Sequence, residues 1–439
     1  MARNYWQPHA GAIPHVATVT FGGTPAATDT VTVTINNSSL TVTVGTLDAT
    51  TDVADAFAAA WSAQDRTTGI VQDESRNVGG GQLPEFVGIS AESISNTVVL
   101  TSKRPGHPFV VSTAKTGTVT ISSSTTQAAT GPHHADNADN WSDGLPTSDD
   151  VLVLDAGSVS MLYGLDYLLT NTVDVDIVAT GDFLGGIGLP WWNPAGYKEY
   201  LPRFLQLYDG AGARSLDVVP GQNGGQGSAA EALRFDLQSQ TWDEIRVTGG
   251  MPSIGNSSFP RLQVHGGSVD LLSVDSGWVS IDPDDAEQTA GMTVDKILVG
   301  KSNDSSVDPW VSIGRLTAWN ASDSPIDLIG GRLDLLNVVD PGTPEGTPIT
   351  VTGGLLNILS DGDINAVTIK DGILNWVGLG TANGTIDVWP RGTLDLTGDG
   401  RAKSFNTVNA YHGSTFKLGV QAPTLTPVGC NLEDLNVSR

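Results

Sequence analysis

Cysteine is almost missing from this sequence. The single Cys430 excludes an intrachain disulfide framework and any cysteine-rich metal site. Charge is scarce too, and it leans one way. Charged residues are 16% of the 439, with 22 basic against 48 acidic side chains and a formal net charge of −26. No basic cluster stands out, so nucleic acid and anionic membrane are excluded as partners, because both need concentrated Lys and Arg. No stretch approaches the run of about 18 apolar residues that spans a bilayer. Residues 1–15, MARNYWQPHAGAIPH, lack the apolar centre of a secretory leader.

What is abundant is glycine, 52 residues, and tryptophan, whose 11 residues outnumber phenylalanine at 10 and tyrosine at 7. Hydrophobic residues at 39% are ample for a large core, and the length allows two to four domains.

Residues 1–15 read as an N-terminal arm, either disordered or laid against a partner, with Tyr5, Trp6 and Ile13 as its candidate docking residues. Residues 16–123 read as a small α+β domain. Val16-Ala-Thr-Val-Thr-Phe21, Thr30-Val-Thr-Val-Thr-Ile35 and Leu40-Thr-Val-Thr-Val44 alternate with period two, the mark of half-buried strands. Asn36-Asn37-Ser38 predicts a hairpin turn. The one convincing helix is capped by Thr51 or Asp52 and places Val53, Phe57 and Trp61 on one face. Further strands are expected at Phe86–Ile89, Val98–Leu100, Pro108–Val111 and Thr118–Ile121. Residues 124–147 read as a polar linker and a cap, with the tryptophan of Asn140-Trp-Ser lying across the exposed first coil of a solenoid.

An internal repeat decides the fold expected for residues 148–420. Gly267, Gly331, Gly354, Gly372 and Gly392 each open a Gly-x-Φ-(Asp/Asn)-Φ unit, where Φ is apolar. Gly413 keeps the glycine with a shifted phase, and Gly157 fits the same template. The glycine spacings are 64, 23, 18, 20 and 21, so a unit of about 20 residues recurs. Each unit predicts two short strands meeting at a corner where glycine accepts positive φ. Leu333 and Leu335 then stack inward while Asp334 faces solvent. Before Gly392 the apolar phase slips by one, which predicts a bulged corner at Trp389-Pro390. The fold expected is mainly β: a parallel right-handed β-helix behind the small α+β domain. An irregular insertion spans about 180–240, and residues 421–439 form a C-terminal tail.

Candidate chemistry is thin. Asp282-Pro-Asp284-Asp-Ala-Glu287 and Asp361-Gly-Asp363 are acidic clusters that read as solvated loops. Ala366 stands where a calcium loop starting at Asp361 requires glycine. His133, His134, Asp136 and Asp139 carry metal-capable groups in the linker, without the rigid spacing of a zinc site. No metal and no cofactor is expected. His265 and His412 precede corner glycines and are expected to project to solvent. Trp191, Trp192, Tyr197 and Tyr200 form an aromatic group that can stack on a glycan, meet a protein, or plug the end of the β-helix. Trp278, Trp310, Trp376 and Trp389 read as packing at strand corners.

Three segments carry a resemblance. Gly22-Gly-Thr-Pro25, the strand Asp29–Ile35, the Ala-rich helix near Trp61 and Pro105-Gly-His-Pro-Phe109 resemble a small module that recurs in phage structural proteins and bacterial surface proteins. Asn140-Trp-Ser-Asp-Gly-Leu-Pro-Thr-Ser-Asp-Asp-Val151 is similar to the segment that opens right-handed β-helices of phage and autotransporter-type proteins. From Asn140 to about Leu207 the chain resembles proteins encoded beside phage head genes. The resemblance implies a non-enzymatic structural protein of a tailed-phage virion. It would be made in the host cytoplasm, decorate the capsid exterior, contact the major capsid protein and form a homo-oligomer, with a trimer as the guess. A tail spike or fibre that binds or depolymerises a host glycan is the alternative, and a bacterial surface adhesin the second.

Overall fold

The computed structural model describes residues 2–35, 38–47, 49–63, 84–148, 150–166, 175–188, 204–207, 214–220, 232–238, 241–248, 261–275, 277–281, 292–300, 310–313, 316–318, 326–335, 349–359, 364, 366–378, 380–398, 404–419 and 423–438. These divide into two compact units. One holds Gln7–Asn140, and the other holds the residues up to Trp6 and from Trp141 onward.

The Gln7–Asn140 unit is two antiparallel sheets and a helix. One sheet runs in the order Ile89–Ile94, Thr97–Ser102, Val16–Gly23, Val119–Gln127; in the other, Thr30–Ile35 lies between Ser38–Thr43 and Val111–Lys115. Period-two alternation does the sorting. Val31, Val33 and Ile35 are buried, while the intervening threonines pair across the strands, Thr32 with Thr41 and Thr34 with Ser39, each at 2.8 Å. Helix Thr50–Ala63 lays Val53, Phe57 and Trp61 into this core. The Trp61 indole donates to the Ile89 carbonyl at 3.1 Å. Asp52 acts one turn in, where its carboxylate accepts the Ala49 amide at 3.2 Å, rather than as the cap residue itself.

Three expectations for this unit shift. Pro84–Val87 is a short helix, so the strand starts at Ile89 and not at Phe86. Val111–Lys115 begins where the strand Pro108–Val111 was expected to end. The polar Ser123–Gln127 stretch is not linker: it continues strand Val119–Gln127, which pairs along Val16–Gly23.

The second unit is a parallel β-solenoid. On its first face the register stacks Leu152, Ile177, Leu216, Ile245, Leu272 and Ile297, then Ile326, Ile349, Val367, Ile386 and Val408. All are buried. On the second face Leu333, Leu356, Leu374, Leu394 and Phe416 stack in the same way. Burying a branched apolar side chain is worth about 1.5–3 kcal/mol, and each coil contributes several.

The corner glycines behave as expected at six of seven positions: Gly157, Gly267, Gly331, Gly354, Gly372 and Gly413 have φ between 64° and 145°. Gly392 differs. It lies inside the strand Thr381–Asp395, and what demands glycine is close approach, since a Cβ there would sit 2.4 Å from the Ile369 carbonyl oxygen. The bulge at Trp389-Pro390 is present: Ile369 pairs with Val388 and Asp371 with Arg391, so two residues oppose Lys370 alone.

Asp334 does not face solvent. It is only 3% exposed, because the Asp/Asn of successive repeats bond to one another. Asn357 Nδ2 donates to Asp334 Oδ1 at 2.6 Å and Asn375 Nδ2 to Asn357 Oδ1 at 3.0 Å. Arg332 closes on the same carboxylate at 2.9 Å. The Asp and Asn of this column form a hydrogen-bonded ladder.

The first part of the arm, up to Trp6, belongs to the solenoid. Arg3–Tyr5 is a strand paired in parallel with Val151–Val153. Trp6 is 3% exposed and meets Trp141 edge-on at 5.2 Å, while its indole donates to the Val159 carbonyl at 3.2 Å. Trp141 therefore packs at the first coil as the sequence suggested, with Trp6 as its partner.

Candidate functional site

The strand Leu233–Asp236 pairs residue by residue with Leu262–His265. Leu233 and Phe235 point into the core with Leu262 and Val264, so Arg234, Asp236, Gln263 and His265 share the outward side of the same two coils. That side is nonetheless closed. Asp236 is buried and His265 is 2% exposed, which overturns the expectation that His265 projects to solvent. His412, by contrast, is exposed as expected.

Here His265 Nδ1 lies 3.7 Å from Asp236 Oδ1, and the Phe204 ring packs edge-on to the imidazole at 4.1 Å. Gln238 donates to Asp236 from its backbone amide at 2.8 Å and from its side chain at 2.5 Å. Burial pushes the Asp236 carboxyl above its ordinary value, against the opposing pull of His265 and the Gln238 donors. Arg234 Nε donates to Gln263 Oε1 at 2.9 Å, and Nη1 reaches the carbonyls of Ile187 and Gly188 at 3.3 Å. Arg261 is 1% exposed and donates to the carbonyls of Gly185 at 2.8 Å and Phe183 at 2.7 Å. At 3.7 Å Asp236 and His265 are close enough to interact electrostatically but lie beyond hydrogen-bond distance. Both side chains are closed to solvent, and the hydrogen bonds of the neighbouring Arg234 and Arg261 tie coils together.

Trp191, Trp192, Tyr197 and Tyr200 lie outside the described residues, as do Asp282, Asp284, Asp361 and Asp363. Of the arm residues, Tyr5 is half-buried and Trp6 is buried, while Ile13 is exposed with its backbone amide donating to the Thr130 carbonyl at 2.7 Å. In the linker, His134 Nε2 is 2.8 Å from the Gly106 carbonyl and its Nδ1 3.6 Å from Asp136. Among the described residues no three His, Cys, Asp or Glu side chains are grouped to hold a metal ion, and no helix is long and apolar enough to cross a membrane.

Two features escaped the sequence reading. The Asp236–His265 pair joins residues 29 apart in the chain, His265 before the corner Gly267 and Asp236 in the span expected to be an irregular insertion. Its only signal is the alternation Leu233-Arg-Phe-Asp236 set beside Leu262-Gln-Val-His265. Trp389, read as packing, is instead 42% exposed. Trp376 is buried as read, edge-on to Phe405 at 5.5 Å. No protein-family model matches the chain, and no curated protein matches it.

Proposed function

We propose that this protein is a non-enzymatic structural component of a tailed-phage virion that decorates the capsid exterior, contacts the major capsid protein and assembles as a homotrimer. One observation supports the reading best: outward polar side chains of the solenoid bond along its axis to their counterparts in the next coil. Asp217 takes Arg246 at 2.9 Å, Asp387 takes Asn409 at 2.7 Å, Asp395 takes Lys417 at 3.1 Å, and Asp334, Asn357 and Asn375 form a continuous run. Such a wall resists deformation, which a particle exterior needs. The resemblance of the Asn140–Val151 segment and of the small N-terminal module points to the same setting, and the net charge of −26 keeps an exposed protein soluble.

The docking surface in this reading excludes Trp6, whose ring is committed to Trp141, and retains exposed Ile13. Co-sedimentation of the purified chain with capsids of the phage that encodes it tests the reading. Saturable binding at a fixed copy number per capsid is expected. No co-sedimentation at any protein concentration overturns it, and a monomer by native mass spectrometry removes the trimer.

A further inference from the structure

We propose that the outer wall at Trp389 and Tyr411 is a binding site for a neutral glycan, with a pyranose ring packed against the aromatic pair. This inference does not rest on the virion reading.

The argument begins with exposure. Trp389 keeps 42% of its surface open to solvent in a solenoid that buries Trp242 and Trp376 completely. Strand alternation turns it outward, since Val388 before it is buried, and the bulge opposite Lys370 interrupts the ladder just beyond it. The exposed indole is held still. Tyr411 of the next coil stacks on it, with centroids 5.1 Å apart and planes at 25°. Pro390 fixes the backbone beside it and packs over Gly413, where a Cβ would sit 3.3 Å from the Pro390 carbonyl oxygen. An aromatic surface that is rigid before binding loses little entropy on binding.

The surroundings choose the ligand. Planar polar groups rim the pair on both sides. Asp387 and Asn409, two residues upstream on the same two strands, are bonded at 2.7 Å. Arg391 and Asp371, just beyond the bulge, pair at 2.8 Å in the open. An apolar body flanked by carboxylate, amide and guanidinium matches a sugar ring, whose C–H faces are apolar and whose rim is hydroxyl. The chain's charge of −26 disfavours polyanionic glycans, so a neutral one is specified.

Saturation-transfer NMR on the full chain with maltoheptaose, chitohexaose and mannohexaose tests this. Transfer to the ring C–H protons of at least one probe is expected. Trp389→Ala should weaken that binding about tenfold, equivalent to about 1.4 kcal/mol, and Asn409→Ala should weaken it less. Should Trp389→Ala disturb the coil, Trp389→Phe and Asn409→Ala carry the reading, because both leave an aromatic ring on Tyr411. No transfer with any of the three probes overturns the proposal. So does binding unchanged in Trp389→Ala, and so does a protein partner that covers Trp389 while every glycan fails.

Discussion

The solenoid is built in two ways. Up to Gly300, side-chain hydrogen bonds between neighbouring coils span from 25 to 47 residues of sequence, with one tight coil at Leu262–His265 and Trp278–Ile281, whose strands pair 17 apart. After Ile326 the corresponding separations stay between 18 and 24. The buried ionisable groups divide along the same line. Arg214, Arg234, Asp236, Arg261 and His265 all lie in the wide coils, whereas Asp334 and Asn357 are the buried ladder members of the narrow ones. Corner carbonyls meet the next coil's amide directly in both halves, as Leu184 N does Gly157 O at 2.8 Å, but among the described residues only the wide half adds a buried guanidinium to carbonyls. In the narrow coils Leu355 N donates to Gly331 O, and Ile373 N to Gly354 O, each at 2.9 Å. In the wide coils the connecting chain leaves carbonyls such as Phe183 and Gly185 for which Arg261 supplies the donors. A buried carbonyl must be satisfied by something, and here a guanidinium with five donors does what a neighbouring strand does elsewhere.

The strongest way to break this comparison is Arg261→Met. It keeps apolar bulk but removes the donors from two buried carbonyls, each worth roughly 1–3 kcal/mol when left unsatisfied. A loss of about 4 kcal/mol is expected, seen in urea unfolding and in faster amide exchange confined to 175–281. A loss below about 1 kcal/mol would mean that water replaces the guanidinium and the carbonyl account is wrong.

In the narrow coils the matching change is Asn357→Ala, which removes one rung of the ladder. Asp334 keeps Arg332, so the expected loss is only about 1–2 kcal/mol, with exchange rising in 326–376. Asn357→Asp sharpens the point, because it sets a carboxylate against Asp334 where a donor stood at 2.6 Å. It should cost more than the alanine, and a smaller cost would show that the ladder bond contributes nothing.

The same division explains what the sequence revealed. From Gly331 to Gly392 each coil repeats glycine, two apolar residues and an Asp or Asn between them, and the fold can be read from that spacing. Its geometry was less legible. The period does not say that Asp334 is covered, since alternation assigns a side and not an exposure. Nor does it separate Gly354, whose φ of 79° requires glycine, from Gly392, which is held by proximity to Ile369. In the wide coils insertions of unequal length erase the period. The Asp236–His265 pair then has no local signature, because its partners come from coils 29 residues apart. Trp389 was missed for a different reason. The phase slip disclosed the bulge, but alternation from buried Val388 assigns Trp389 a side and not its exposure.

The smallest expected effect separates the two halves by sign. Asp270, in the wide-coil strand Ser268–Val274, has its carboxyl raised by partial burial and by the nearby charges of Asp295 and Asp243. Asp395, in the narrow half, is also pushed upward by burial, but the Thr397 hydroxyl and amide and the Lys417 ammonium outweigh that and hold it below its ordinary value. A raised carboxyl binds its proton more tightly in the folded state, so its charge opposes folding at neutral pH, and that penalty disappears as pH falls through the raised value toward the ordinary one. A lowered carboxyl does the reverse: it adds stability above its ordinary value and loses it as pH falls through the lowered one. Asp270→Asn should therefore raise the Tm at pH 7, and Asp395→Asn should lower it. Both differences should shrink toward zero in acid, the Asp395 difference persisting to lower pH. Both groups are partly open to solvent, so the shifts should be small and should weaken with added salt. A Tm change of the same sign for both variants at pH 7 would show that the outward acids of the two halves share one environment, and the electrostatic side of the comparison would fail.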